Sequence, residues 1–525
     1  MSASDASRDA AWSPVVEYGA RRAIITIGIV LATLLELIDT TIVNVALPYI
    51  QGNIGASQQE GAFVVTGYLV ANTVVIPLTP WLQHRFGRRR YYLASISIFV
   101  GASLMCGLSH SLAEIVFWRV VQGTGGGGLI STSQAILRDT YPERSQGIAQ
   151  GVFAIGAVVG PTIGPLLGGT LTDNFSWPWV FFVNVPVGLL AAAIVARFLR
   201  DPERAERLPL DAVGVALLAV GLGALQYVLD QGQEKDWFGD RLIVTMTVLA
   251  ACGLAAFVTW SLFGTRAPVV DLRVLKNPGV AAGSLLGMCL GVSLMGSLVT
   301  LPQYVESSLG FTATMAGEVI LFRALFVMLL TPPSARLAAS GKTDPRLQIG
   351  AGFVMLAISN LWLANVTTSI SSFWTFLWPL ALSGLGLAQI FVPLSLVVFS
   401  SAPIDDVPKA SSMFNLARQM GGSIATAILV TLIARDTTLH QTELGLRVAM
   451  GRAPVRAYLA EHGGERSASA RARLDALVAG QSVVLAYADT ARFVGVLTFV
   501  FVPLVVFLRP RRAGDGAPAR VAMEV

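Results

Sequence analysis

The chain has 525 residues, of which 54% are hydrophobic and 13% charged, with a formal net charge of +5. A soluble domain carries roughly 25% charged residues, so this composition excludes an ordinary water-exposed globule and points to a bilayer as solvent. The positive balance does not indicate a nucleic-acid partner, because the arginines are dispersed, and Cys106, Cys252 and Cys289 each sit in an apolar run, which argues against a disulfide framework or a metal centre.

Residues 1–22 read as a polar cytoplasmic tail carrying both signs of charge, without a cleavable signal. A window of about 20 apolar residues, the length that crosses a hydrocarbon core, then predicts about fourteen spans. They lie near 23–48, 61–83, 91–109, 112–136, 147–171, 178–198, 210–229, 242–263, 277–301, 314–336, 347–366, 373–397, 409–434 and 490–508. The gaps are short and polar except for 435–489, which reads as a long extracytoplasmic loop. Alternate gaps carry Arg85, Arg88, Arg89 and Arg90; Arg138 and Arg144; Arg197, Arg200, Arg204 and Arg207; Arg266, Arg273 and Lys276; Arg336, Lys342 and Arg346. Positive loops stay in the cytoplasm, so both termini are expected there, including the tail 509–525 with Arg509, Arg511 and Arg512.

Ionisable groups inside spans are expensive, which makes each a candidate for function. The first span holds Glu36 and Asp39, three residues apart and so on one helical face. That face must turn toward a cavity, where burial disfavours a charged carboxylate and suits it to bind and release a proton. The fourth span opens with Arg119, Gln122 and Gly123. Arg119 either snorkels to the headgroups or faces the same cavity, where its fixed charge would help an acid release its proton.

In the fifth span Gly156, Gly160, Pro161, Gly164, Pro165, Gly168 and Gly169 make a smooth, bent surface suited to close helix contact, a hinge or a gate. Trp177-Pro178-Trp179 fits an aromatic belt at a membrane boundary. Arg323 lies mid-way along the tenth span, too deep to snorkel, and predicts a partner on another helix. Asn415, Arg418, Gly421 and Gly422 head the thirteenth span and fit an anchor or a gate equally.

Two nucleotide motifs fail on context. Gly123 to Gly128 satisfies G-x-G-x-x-G but lies between membrane helices rather than in a βαβ unit, so helix packing is the better reading. Gly341-Lys342-Thr343 resembles the end of a P-loop, yet Arg336 stands where its first glycine belongs. ATP is therefore not expected as an energy source within this chain, and no cofactor, catalytic residue or metal ligand is assigned; a proton gradient remains.

Together these stretches resemble the major facilitator superfamily, specifically its fourteen-span drug–proton antiporters of the EmrB/QacA type, and more closely the EmrB side. The run Leu37 to Pro48 is similar to the family's first-helix motif, Arg119, Gln122 and Gly123 to the fourth-helix motif, and Gly156 to Gly169 to the antiporter motif. Trp177 to Pro186 and Asn415 to Ser423 are similar to EmrB-type signatures. The loop motif is present in Arg85, Gly87, Arg88 and Arg89 but departs at Pro80 and His84, where a glycine and an aspartate are usual.

The resemblance implies an all-α membrane protein with the major facilitator fold: a six-helix bundle at 23–200, two inserted helices at 201–264 and a second six-helix bundle at 265–508. It implies secondary active multidrug efflux, in exchange for protons, of small amphipathic, cationic or lipophilic compounds. Coupling is expected at Asp39, with Glu36 assisting and Arg119 tuning, and with Gln122 and Arg323 in the cavity. It also implies a bacterial inner-membrane location, and an EmrA-like periplasmic adaptor with an outer-membrane channel as partners. Transport of one specific metabolite on the same fold is the alternative; a membrane enzyme is disfavoured because the histidines lie outside or at the edges of spans.

Overall fold

A computed structural model describes residues 16–142, 145–200, 211–265, 268–339, 343–403, 406–448, 452–462 and 467–508. The tail residues 1–15 and 509–525, the connection 201–210 and the loop cations Arg144, Arg204, Arg207, Arg266, Lys342, Arg509, Arg511 and Arg512 lie outside them.

With no water in a bilayer core, each segment must satisfy its own backbone, and helices do so. The first half is built from α1 (Gly19–Ile54), α2 (Phe63–Phe86), α3 (Arg88–Gly107), α4 (Leu112–Gly126), α5 (Leu129–Thr140), α6 (Gln146–Asn174) and α7 (Asn184–Phe198). The inserted pair is α8 (Ala212–Gln231) and α9 (Arg241–Thr259). The second half contains α10 (Pro278–Leu309), α11 (Ala313–Ala339), α12 (Pro345–Val366), α13 (Leu377–Ser401), α14 (Val407–Arg447), α15 (Ala453–Glu461) and α16 (Ala468–Val500).

Among the described residues, twelve helices are long and apolar enough to cross a membrane. The two other expected spans are present as α3, which three arginines make less apolar, and as α4 continued by α5 after a break at Gly127 and Gly128. Local chemistry sets several helix ends. Asn277, Asp344 and Asp240 cap α10, α12 and α9 by accepting from backbone N–H groups, and prolines occupy the first turns of α10 and α12. Gly55 and Gly310 stop α1 and α10 with φ of 75° and 69°, a backbone region open to glycine.

The expected loop 435–489 is a correction. It is mostly helical: α14 runs on to Arg447, α15 follows, and α16 begins at Ala468, well before the expected span start at 490. The stretch is polar, so a hydropathy window misses it, but its alanines, leucines and arginines are strong helix formers. His440 Nε2 meets Asp489 Oδ2 at 2.8 Å, tying the two helical extensions together.

The halves meet mainly where α6 packs on α11 and where α2 and α5 pack on α14. Close to the arginine-rich end, Asn415 Nδ2 donates to Gln134 Oε1 at 2.6 Å and Ser412 Oγ to the Ile76 carbonyl at 2.6 Å. Ser411 Oγ donates to Gln134 Oε1 at 3.1 Å. The inserted helix α8 packs on both α2 and α14, while α9 leaves Leu242, Val248 and Val258 exposed, a surface for lipid.

Candidate functional site

The central polar site grows from the carboxylate face of α1. Asp39 is fully buried. Its Oδ2 accepts from Arg119 Nη1 of α4 at 2.6 Å, and its Oδ1 accepts from Gln122 Nε2 at 2.9 Å and from Asn184 Nδ2 of α7 at 3.1 Å. Arg119 is 1% exposed, so it does not snorkel. Its Nε donates to the Val64 carbonyl at 3.0 Å, and its guanidinium stands 4.2 Å from the Tyr68 ring centre, a cation–π contact. A buried ion pair persists only when its remaining hydrogen-bonding capacity is met, and here α2, α4 and α7 all contribute.

Glu36 lies one turn away in different company. Its Oε1 accepts from Asn72 Nδ2 of α2 at 2.9 Å and its Oε2 from the Ile130 backbone N–H at 3.2 Å. That N–H is available because α5 restarts at Leu129, and the first N–H groups of a helix have no intrahelical partner. No cation forms an ion pair with Glu36 among the described residues. Asn72 in turn accepts, through Oδ1, from Gln419 Nε2 of α14 at 3.1 Å, so the Glu36 network crosses between the halves. Arg418 of α14, next to Gln419 in the sequence, is 9% exposed and leaves its Nε without a hydrogen-bond partner.

The glycines give these helices room to approach. In α6, a Cβ at Gly160 would stand 2.8 Å from the Leu37 Cβ and one at Gly168 2.8 Å from the Ile42 carbonyl. One at Gly164 would strike the Thr41 hydroxyl. Gly156, Pro161 and Gly169 are buried in the same helix, and Pro165 lies within it. The Gly123–Gly128 run packs likewise: a Cβ at Gly125 would meet the Phe99 nitrogen of α3 at 2.7 Å. Gly421 lies against the Met288 carbonyl of α10 and Gly422 against Met295, which seats α14 on α10.

The loop motif fixes the turn between α2 and α3 and ties it to its neighbours. Gly87 has φ 84° between the two helices, a turn that disfavours other residues. Arg88 pairs with Asp139 at 2.5 Å, Arg89 donates to the Ala196 carbonyl, and Arg85 is exposed.

Asp39, Arg119 and Gln122 are thus brought together, with Glu36 beside them. Arg323 is not part of that network: it sits in the second half on α11 and donates to Ser297 Oγ of α10 at 2.7 Å. Asn184, Asn72, Gln134 and Gln419 carry much of the site; Asn184 and Gln419 lie in the stretches similar to EmrB-type signatures, whereas the sequence pattern singles out neither Asn72 nor Gln134. Their signal is that of uncharged amides within spans, and amides are cheaper to bury than charges and stand out less.

The Major Facilitator Superfamily sequence profile matches residues 29–426. The chain belongs to this superfamily. It is 37% identical to the multidrug export protein EmrB of Escherichia coli (strain K12) over 430 residues, 81% of this chain and 83% of that protein. It is 35% identical to the fatty acid resistance protein FarB of Neisseria gonorrhoeae over 425 residues, covering 81% and 83%. The human organic anion transporter MFSD10 has the same fold, with a TM-score of 0.57, 15% identity, and coverage of 92% of this chain and 100% of that one. The protein is therefore a multi-pass membrane protein of the EmrB type.

Proposed function

We infer that this superfamily member is a multidrug efflux transporter that exchanges its cargo for protons by alternating access. The observation that carries the reading is the sealed Asp39–Arg119 pair in the centre of an EmrB-type bundle, with Glu36 beside it and linked to the opposite half. Protonation of Asp39 removes the charge that holds Arg119, and so loosens the α1–α4 contact. Glu36 faces only neutral donors within hydrogen-bond range, so it can hold a proton without breaking an ion pair. When ionised it attracts Arg418, and when neutral it lets α14 go. In this way protonation is linked to the contact between the halves. One proton moving down about 100 mV supplies roughly 2.3 kcal/mol, enough for tens-fold accumulation.

The names of the relatives, multidrug export and fatty acid resistance, support a broad cargo of small amphipathic or lipophilic compounds. We place the chain in a bacterial inner membrane with its arginine-rich ends and both termini in the cytoplasm, because positive loops are retained there. The helical extensions in 435–489 then project outward, and we propose them as the contact for a periplasmic adaptor and, through it, an outer-membrane channel. A pull-down from native membranes that recovers no adaptor argues against that partner. The export reading itself is tested in proteoliposomes: drug added on one side should drive proton flux, and absence of flux with every compound of a cationic and lipophilic panel refutes it.

A further inference from the structure

The Asp39–Arg119 pair has a third member. Tyr68 of α2 is fully buried, and the Arg119 guanidinium stands 4.2 Å from its ring centre, with the Phe181 ring farther off at 5.9 Å. The Val64 carbonyl, which accepts from Arg119 Nε at 3.0 Å, lies one turn earlier on the same face of α2. Gln122 Oε1 accepts from Arg119 Nη1 at 2.7 Å. A ring face, a carbonyl and an amide oxygen, all neutral, therefore hold the cation without help from Asp39.

The glycine run that fails as a nucleotide motif makes room for this ring. A Cβ at Gly123 would strike the Tyr68 carbonyl oxygen, and one at Gly126 would stand 2.9 Å from the Tyr68 hydroxyl. A larger residue at either position would hold α2 off α4 and the ring off the guanidinium. The hydroxyl has no hydrogen-bond partner among the described residues, so what Tyr68 supplies to the site is its ring face. The other titratable side chains around the pair are Glu36 of α1 and Cys106 of α3, whose thiol points at Gln122; α7 presents the neutral Asn184.

We propose that Tyr68 is the positioning residue for Arg119, holding the guanidinium beside Asp39 while the carboxylate takes up and gives up its proton. A cation over a ring face is attracted by the ring quadrupole, most strongly where water is excluded. When Asp39 is ionised, the guanidinium has a carboxylate as well as the ring. When Asp39 is neutral, only the ring, the Val64 carbonyl and Gln122 remain. Loss of the ring therefore costs the protonated state more than the ionised one, which keeps its counter-charge. Tyr68 thus eases protonation of Asp39 and keeps Arg119 in place to expel that proton afterwards. The assignment rests on Asp39 as the proton site of the export reading above.

The test titrates Asp39 in the full chain in nanodiscs, through the infrared C=O band of its protonated carboxyl. The band is assigned by its absence from the Asp39→Asn, Arg119→Gln double variant. Tyr68→Leu should lower the titration midpoint by about one pH unit, a tenfold loss of proton affinity, and Tyr68→Phe should leave it unmoved. Phenylalanines carrying one, two and three ring fluorines at position 68 drain the ring face at nearly constant shape and should lower the midpoint stepwise. A merely structural role would reduce yield without ordering the midpoints by ring charge. The proposal is overturned if Tyr68→Leu keeps the midpoint, if Tyr68→Phe shifts it as far as Tyr68→Leu does, or if no such band titrates in the unaltered protein. Should Tyr68→Leu fail to fold, the fluorinated series decides: equal midpoints across it sink the idea. Drug-driven proton flux is read separately. Its absence in the unaltered protein with midpoints ordered by ring charge refutes export alone, and intact flux with unmoved midpoints refutes the role of Tyr68 alone.

Discussion

The two halves of this protein bury charge differently: the first buries carboxylates together with arginines, and the second, among the described residues, arginines alone. In the first half the central pair of carboxylates, Glu36 and Asp39, is met by Arg119, Gln122, Asn184, Asn72 and a backbone N–H. In the second half the buried charges among the described residues are Arg323 and Arg418, each with an Nε that has no hydrogen-bond partner. A carboxylate can be neutralised by one proton, but an arginine stays charged at any relevant pH. The difference teaches a division of labour on a two-bundle frame: the carboxylates that can change charge are met by hydrogen-bond donors, while the buried arginines of the second half each keep an Nε without a partner.

The largest expected effect comes from removing the charge on the fully solvated side. Asp39→Asn leaves Arg119 buried without a carboxylate, which should cost about 3–5 kcal/mol of stability and take drug-driven proton flux in proteoliposomes to background. Pairing it with Arg119→Gln should restore much of the stability, measured by thermal unfolding, but none of the flux. Full coupled flux in Asp39→Asn would show that coupling lies elsewhere. Glu36→Gln is milder, because the amide oxygen still accepts from Asn72. Its NH2 then faces the Ile130 N–H, so stability should fall by about 1–3 kcal/mol, while coupled flux falls roughly tenfold, a loss of about 1.4 kcal/mol in the coupled step. Arg418→Gln should cost a similar factor, and the double variant no more than either single one, if Glu36 and Arg418 act as one contact.

Much of this arrangement was legible in the sequence. Glu36 and Asp39 share a face by spacing alone, and the glycines of α6 were readable as a packing surface that the structure lays against α1. Position along a span, by contrast, misled in one place: polar helices such as the start of α16 carry no hydropathy signal, so 435–489 read as loop. The break at Gly127 and Gly128 was also hidden, since glycine-rich helix packing and helix interruption use the same residues. With it went the Ile130 N–H that Glu36 accepts from. Long-range amide bridges such as Asn72 to Gln419, 347 residues apart, have no local signature at all.

The packing surface gives an intermediate effect. Gly164→Val pushes a branched side chain toward the Thr41 hydroxyl and into the Ile38 carbonyl, where even a Cβ would stand at 3.1 Å. Overpacking of this kind costs about 1–3 kcal/mol, and it should act through the position of the α1 acids. Proton flux should therefore fall severalfold, while Gly350→Ala, where a Cβ meets nothing within 4 Å, should leave flux unchanged.

The smallest effect concerns how the halves hold each other. Asn415 donates to Gln134 at 2.6 Å and Ser411 donates to the same oxygen at 3.1 Å, so one acceptor in the acid half gathers two donors from the arginine half. Each such bond contributes about 1 kcal/mol net, which corresponds to roughly a fivefold change in an equilibrium constant at 25 °C. Asn415→Ala should thus shift the closed-to-open ratio at the arginine-rich end about fivefold toward open, read as spin-label distances between the first turn of α14 and the last turn of α5. Gln134→Ala removes the shared acceptor and should shift it further than Asn415→Ala. If the two variants shift the ratio equally, Ser411 adds nothing and the bridge is a single bond. If neither shifts it, the contact is passive packing, and the response of the arginine half must be carried by the other contacts between the halves, such as those of Ser412 and Gln419.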